Sequence, residues 1–468
     1  MTAAVDTVSQ IKHPFGFRFV MPLALGSTLN PVNSSLIATA LVPIGDYFHA
    51  TTAQTAWLIA GLYLASAVAQ PTMGRLADIF GPRRVFVTAL AIVAIAGIIG
   101  VFASSLDVLI LTRVLIGIGT SGAYPSAMRM FRSRGDAVGS PPPRTAMGVL
   151  SLSALGVSAI GPFLGGVLTA AFGWHAVFAV NFPLALAAMG FVLAWAPRDP
   201  PTDRGGLRTL VTELDLVGIG LFASALLCLM IFIMNFGQPI WPALIAGLAL
   251  VAALIAWSLR RPDPFIDVRM LASNRPLSFT YLRIAAILLV GYCVFYGLAQ
   301  WLQGAGGYSS AAAGLVTIPM SVVAAIASFF GARIASIRLS FALSTGAAFI
   351  GSAGLLFLGH DAPAWLIASA VACFGLVLGL TSTAAQAALY IQAPPDKIGV
   401  ASGLQRTASY IGSIASASLL ALTFGPHVTD AGFHTLMLVI GALSLLLTLA
   451  IALDPTLRNL RPAGRKGD

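Results

Sequence analysis

The sequence predicts an all-α polytopic membrane protein: two six-helix bundles with a two-helix hairpin inserted between them, about fourteen transmembrane helices in all. Three observations carry that prediction. The composition is too apolar for water, the apolar runs are long enough to cross a bilayer, and the connectors alternate in charge along the chain.

Hydrophobic residues make up 58% of the chain and charged residues 9%, with mean hydropathy +0.90. A soluble domain carries roughly 25% charged residues because its surface faces water. So few charges could not cover a globule of 468 residues. A bilayer removes that need, and helices satisfy their own backbone groups while crossing it. At about 20 residues per crossing, about fourteen crossings use on the order of 280 residues and leave short connectors. The net charge of +10 is no sign of a nucleic-acid partner, because the basic residues punctuate apolar runs instead of gathering on one face. Cys228, Cys293 and Cys373 fall far apart inside apolar runs, so neither a disulfide framework nor a metal site is expected. No cleaved secretory signal is expected at the polar residues 1–18.

The apolar runs fall at roughly 19–41, 54–72, 85–104, 108–130, 146–171, 175–196, 216–236, 240–259, 277–302, 310–331, 339–358, 363–391, 399–424 and 432–453. Alternate connectors are basic: Arg75, Arg83 and Arg84; Arg132, Arg134 and Arg144; Arg198, Arg204 and Arg208; Arg260, Arg261, Arg269 and Arg275; Arg333 and Arg338; Lys397. The others hold no Lys or Arg and carry Asp46 and His49, Asp107, the turn from Asn235 to Pro242, Gly304 to Ser309, His360 and Asp361, and His427 to Asp430. The positive-inside rule then puts the basic connectors and both termini in the cytoplasm, with the chain in a bacterial cytoplasmic (inner) membrane.

The stretch from Asp215 to Arg260 has no charge between its ends and turn residues at its middle, so it reads as a hairpin. The expected division is a cytoplasmic N-terminus at 1–18 and a six-helix bundle at 19–196. Cytoplasmic linkers with the hairpin (216–259) occupy 197–275. A second bundle follows at 276–453, then a basic cytoplasmic tail at 454–468.

The most specific motif follows the second span: Gly74-Arg75-Leu76-Ala77-Asp78-Ile79-Phe80-Gly81-Pro82-Arg83-Arg84. Its glycines are expected to make a tight turn. Asp78 is expected to cap or complement the positive end of a neighbouring helix, and Arg83 and Arg84 to anchor at the inner surface. A weaker echo, Gly331-Ala332-Arg333 with Arg338, stands at the matching place in the second half. The fifth span carries Gly156 and then Gly161-Pro162-Phe163-Leu164-Gly165-Gly166. Gly161 and Gly165 share a helix face and permit close backbone approach, and Pro162 favours a bend.

The first string closely resembles the loop signature of the major facilitator superfamily, and the second resembles the antiporter motif of its exporting branches. Gly173-Trp174-His175, Asn181-Phe182-Pro183, Trp57, Tyr63 and the run Arg113–Gly117–Gly119 are similar to the fourteen-helix drug:proton antiporters. The resemblance implies the major facilitator fold, with two bundles rocking about a central cavity. It also implies secondary active export of drug-like or metabolite-like small molecules, with protons as coupling ion. An importer or facilitator of one neutral or anionic metabolite on the same fold stays open, and a non-transporting receptor is the more remote alternative.

Ionisable and amide groups within spans are the candidate cavity residues, since they are costly there unless paired or facing water. Arg113 lies well over a turn below the outer surface. Asn33 and Ser34 in the first run, Gln70 in the second and Gln386 in the twelfth are further candidates. Tyr292, Tyr296, Gln300 and Gln303 form a stripe on one helix face. Interhelical hydrogen bonding is the competing role for each amide, and snorkelling is the competing role for Arg283 and Arg406.

The antiporters that this chain resembles commonly carry an acidic residue in the first helix, where this chain reads Asn30-Pro31-Val32-Asn33-Ser34-Ser35. No carboxylate falls in the middle of a span. Proton coupling then needs Asp46, Asp78 or His175, or is absent, and a cavity holding Arg113, with or without Arg283, favours neutral or anionic substrates. No His-Glu-x-x-His, Gly-x-Ser-x-Gly or phosphate loop occurs, so no enzyme activity and no ATP hydrolysis are expected. The expected partners are a small-molecule substrate and the lipid bilayer, with no cofactor, no metal and a monomeric state.

Overall fold

A computed structural model of the chain describes residues 15–140, 143–199, 214–235, 238–331, 333–334, 336–394 and 398–457. The N-terminus before residue 15, most of the first linker, the tail beyond 457, and Lys12, Arg204, Arg208, Ala332 and Lys397 lie outside the described residues, as does the side chain of Arg144.

The first segment is a broken helix: α1 (Phe17–Ser27), α2 (Leu29–Leu36), a 3-10 turn at Ile37–Thr39, and α3 (Leu41–Phe48). The breaks follow from proline, which lacks an N–H and clashes with the carbonyl four residues back. Pro31 disturbs the chain at Ser27–Thr28, and Pro43 disturbs it at Thr39–Ala40. Thr28 Oγ1 donates instead to the Leu25 carbonyl at 2.7 Å.

The helices that follow are α4 (Thr52–Phe80), α5 (Pro82–Val101), α6 (Leu106–Val138), α7 (Arg144–Phe172), and α8 (His175–Ala179) leading into α9 (Asn181–Trp195). The hairpin is α10 (Leu216–Met234) and α11 (Trp241–Ser258). A short α12 (Val268–Ser273) leads to α13 (Arg275–Gly304), α14 (Ser310–Gly331), α15 (Ile337–Leu356), α16 (Ala364–Gln392), α17 (Ile398–Phe424) and α18 (Asp430–Leu453). Among the described residues, 12 helices are long and apolar enough to cross a membrane. The fourteen expected from apolar runs include two that do not meet that measure: the proline-broken first segment, and α7, of which Gly156–Phe172 counts as a shorter apolar helix among the described residues.

Helices α1 to α9 pack on one another, with α6 held between α4 and α5; α13 to α18 form a second group. Small residues allow the close packing: Gly117 abuts the Leu62 carbonyl of α4, while Gly119 abuts Ala89 of α5. Two seams join the groups, α7 against α14 and α4 against α17.

The hairpin lies beside α4 and α17 and is largely uncovered by protein, as a lipid-facing pair would be. Its foot is Asp215, which is buried in the left-handed conformation (φ 45°). The Asp215 carboxylate accepts from Gly218 N (3.1 Å), Trp257 Nε1 (2.7 Å) and Phe265 N (2.7 Å), with Arg261 at 3.7 Å. A buried charge needs such a donor set to be tolerated.

The loop signature differs from its expectation. The basic residues sit on helix extensions: α4 continues through Phe80, and only Gly81, at φ 96°, makes the turn. Gly74 is inside the helix, facing Pro125. Asp78 does not cap a helix but pairs with Arg129 of α6 at 3.0 Å. The N-terminus of α5 is capped by Asp199, whose two oxygens accept from Arg83 N (3.1 Å) and Arg84 N (2.8 Å). A carboxylate there satisfies free N–H groups and complements the helix dipole. The Arg83 side chain reaches back to the Leu193 carbonyl (2.6 Å), and Arg75 donates to Pro264 across the second linker (3.0 Å). In the echo, Arg333 stacks on Phe329 and Phe330.

Candidate functional site

Hydroxyl and amide groups gather where the groups of helices meet. Tyr63 of α4 and Tyr296 of α13 join through their hydroxyls at 2.7 Å, and Tyr296 Oη donates to the Ser34 carbonyl of α2 at 2.9 Å. Tyr292 stacks on Tyr296 with ring centroids 5.7 Å apart and lies 5.8 Å from Tyr63. Tyr410 of α17 is 5.6 Å from the Tyr63 ring and donates to Gln70 Oε1 of α4 at 2.5 Å. Each of these bonds ties one helix group to the other. The phenols of Tyr63, Tyr296 and Tyr410 are thereby satisfied without water, which buried Tyr requires.

Arg113 lies immediately behind this cluster. It is 1% exposed, and its Nε donates to the Leu58 carbonyl (2.8 Å) while Nη1 donates to the Asn33 carbonyl (2.9 Å). Asn33 and Ser34 thus offer successive carbonyls, one to Arg113 and the next to Tyr296. Arg113 is expected to line the cavity; here it staples α6 to α2 and α4 inside the first group, while Nη2 has no hydrogen-bond partner. The Asn33 amide donates to the Leu29 carbonyl (2.8 Å) and to Asn181 Oδ1 of α9 (2.5 Å), so its side chain points away from the seam.

The stripe on α13 divides. Tyr292 and Tyr296 meet α4, and Gln300 donates to the Tyr296 carbonyl and borders an open vestibule. Gln303 accepts from Ser310 of α14 at 2.8 Å. Gln386 is exposed and stands apart from the cluster. Arg283 does not add free positive charge, because it is ion-paired with Asp454 inside the second group. Arg406 spans the groups by stacking on Tyr124 of α6 at 4.4 Å, rather than reaching for headgroups.

The glycine-rich part of α7 forms the other seam. A side chain at Gly161 would strike Ser35 and one at Gly165 the Leu36 backbone, so both face the broken first segment. Gly166 abuts Ser310 and Ala311 of α14, and Gly314 abuts Pro162 and Phe163. Pro162 leaves α7 unbroken, and its carbonyl accepts from Thr39 Oγ1 at 3.3 Å. Gly156 has open space around it and joins neither contact.

Sequence reasoning passed over Tyr410, Asn181 and Asp199 as partners. Tyr410 follows Arg406 by one turn, and Asn181 is a lone amide at the start of an apolar run; those were the available signals. Asp199 carried none, since its partners are backbone groups more than a hundred residues away.

Helices grouped this way, joined along seams of small residues with polar groups gathered between them, define a polytopic membrane transporter. The chain belongs to the Major Facilitator Superfamily, whose family model matches residues 23–417. It is 33% identical over 441 residues to an uncharacterized MFS-type transporter, YwoD of Bacillus subtilis, covering 93% of this chain and 96% of that one. It is 27% identical to the tetracenomycin C resistance and export protein of Streptomyces glaucescens (88% of this chain, 76% of that one). It is also 27% identical to the multidrug efflux pump LfrA of Mycolicibacterium smegmatis (86% and 79%). Among solved structures, the nucleoside transporter NupG superposes with TM-score 0.65 at 14% identity, covering 93% of this chain and 99% of that one. An inward-facing bacterial homolog of the human lysosomal transporter Spinster gives 0.65 at 18% identity (96% and 99%). These two likenesses show the fold.

Proposed function

We propose that the chain is a secondary active exporter of drug-like or metabolite-like small molecules, working by alternating access. The observation that carries the reading is the α7 seam. Gly165 brings backbone against the backbone of the first segment and Gly166 against that of α14, while Gly161 makes room for the Ser35 side chain, a surface of small residues on which two rigid bundles can rock. The resemblance of that string to the antiporter motif, and relatives named for export and efflux, support the outward direction.

In this reading the chain crosses the bilayer about fourteen times, the twelve long helices being joined by the broken first segment and by α7. Both termini are cytoplasmic in a bacterial inner membrane, and the monomer is the working unit. The bundles are 19–196 and 276–453, with 197–275 carrying the hairpin. The substrate passes the Tyr63–Tyr292–Tyr296–Tyr410 cluster, with Ser34, Gln70, Gln300 and Gln303 along its path. The tyrosine and glutamine bonds across the seam open as the cavity changes side. Gly74, Asp78, Gly81, Arg83 and Arg84 gate the inner end. Protons are the coupling ion.

The test is efflux of a fluorescent substrate panel from cells with the gene deleted and restored. Export predicts higher accumulation in the deletion strain for at least one compound. Unchanged accumulation of every compound, with uptake of an organic anion lost, would favour the import reading. One observation supports that second reading: among the described residues no carboxylate lies in the middle of a crossing helix, while the buried cation Arg113 lies about two turns inside α6.

A further inference from the structure

Five of the six histidines lie at the face away from the basic turns: His49, His175, His360, His427 and His434. Among the described residues that face holds no Lys or Arg, and its acids are Asp46, Asp107, Asp361 and Asp430. Imidazole is the side chain that ordinarily changes charge between about pH 5 and 8. Histidines are therefore the side chains through which this face could change charge over that range.

Three of the five are committed within one helix group. His360 Nδ1 is 2.8 Å from Asp430, which also accepts from Trp301 Nε1 at 2.7 Å. His434 Nε2 lies 3.0 Å from the Leu358 carbonyl, and His175 stacks on Trp174 with centroids 3.6 Å apart. His49 and His427 differ, because they face each other's helix group across one cavity of about 500 Å³. On one side are Asp46 and His49, from the end of α3, and Thr51, Thr52 and Thr55 from the start of α4. On the other are Gln300 and Gly304 of α13, with His427 in the turn before α18. The Tyr63–Tyr296 bond lies beyond Gln300, one turn further along α13.

The charge of this cavity follows directly. With both imidazoles neutral, Asp46 leaves it at minus one; with both protonated it stands at plus one. We propose that the vestibule is an external ion-binding antechamber whose preference is set by pH. It holds organic cations near neutrality and organic anions in acid. Substrate leaving the tyrosine cluster towards the outside enters this chamber, so external acid disfavours retention of a cation and favours that of an anion. The proposal rests on assigning the basic turns to the inside. Its test uses no transport, so its failure is distinct from failure of the export reading.

A nitroxide at Ala50→Cys in the intact protein, after Cys228→Ser and Cys373→Ser, reports collisions with anionic chromium oxalate and with a neutral nickel chelate. A label at Ser104→Cys, outside the vestibule on the same face, corrects for bulk effects. Between about pH 7.5 and 5.5 the anion-to-neutral collision ratio should rise roughly fivefold, the size expected for a change of two charges within about 10 Å in salt water. His49→Gln or His427→Gln alone should remove part of the rise, and the double variant should abolish it. Asp46→Asn should raise the ratio at both pH values. A flat ratio in the protein with both histidines overturns the proposal. So does a full rise in the double variant, which would assign the charge change to other groups.

Discussion

Arg113 shows how a buried charge is held when no carboxylate is available. Its guanidinium meets two backbone carbonyls from different helices, and each such charge-assisted bond contributes about 1.5–3 kcal/mol. Arg113→Ala would remove the donors that tie the Leu58 and Asn33 carbonyls to α6 in a dry interior. We expect a melting temperature in detergent lowered by several degrees and transport reduced at least about tenfold, with Arg113→Lys intermediate, because an ammonium cannot span both carbonyls in a fixed fork. Thermal unfolding by size-exclusion and vesicle transport measure the two effects. If stability falls while transport per folded molecule survives, Arg113 is purely a staple. The residue's chemistry was legible from its place in the sequence, well below Asp107. Its partners were not, because carbonyls of α2 and α4 leave no mark on side-chain identity.

The element that most constrains function is α7. Its glycines face two neighbours at once: Gly161 and Gly165 meet the first segment, and Gly166 meets α14. Gly166→Val would place carbon atoms where the Ser310 carbonyl now sits, so the seam must part. We expect near-normal membrane insertion, since valine suits lipid, but transport falling by about tenfold or more, consistent with overpacking costs of about 1–3 kcal/mol. Gly156→Val, which meets open space, is the matched control and should leave transport near wild type. Equal loss in both variants would mean that helix flexibility, not the seam, explains the effect. The glycine spacing was readable in advance, but that one motif serves two separate interfaces was not. Which face of a helix meets which partner is a property of packing.

At the scale of the whole molecule, charge asymmetry orients the chain. Basic side chains at the ends of α4, α5 and α6 and near α11 lie on one face, and the histidines and Asp46, Asp107, Asp361 and Asp430 on the other. Single cysteines at Ser104 and Ala431 should be blocked in whole cells by a membrane-impermeant thiol reagent, while one at Arg84 should react only after lysis. Labelling of Arg84→Cys in intact cells would reverse the proposed topology and, with it, the sidedness of the vestibule.

Composition and run length alone determined that this chain lives in a membrane as helices, because no other solvent tolerates so few charges and no other element satisfies its own backbone there. Local motifs added the family's loop and the glycine seam. Tertiary structure decided the rest. It divided the α13 stripe, bonding Tyr296 across a seam and Gln303 to α14, and put Asp199 rather than Asp78 on the N-terminus of α5. It also paired Arg283 with Asp454 and set His49 opposite His427 across one cavity. Each of these depends on which distant groups come within about 3 Å, a distance over which hydrogen bonds act and sequence spacing carries no information.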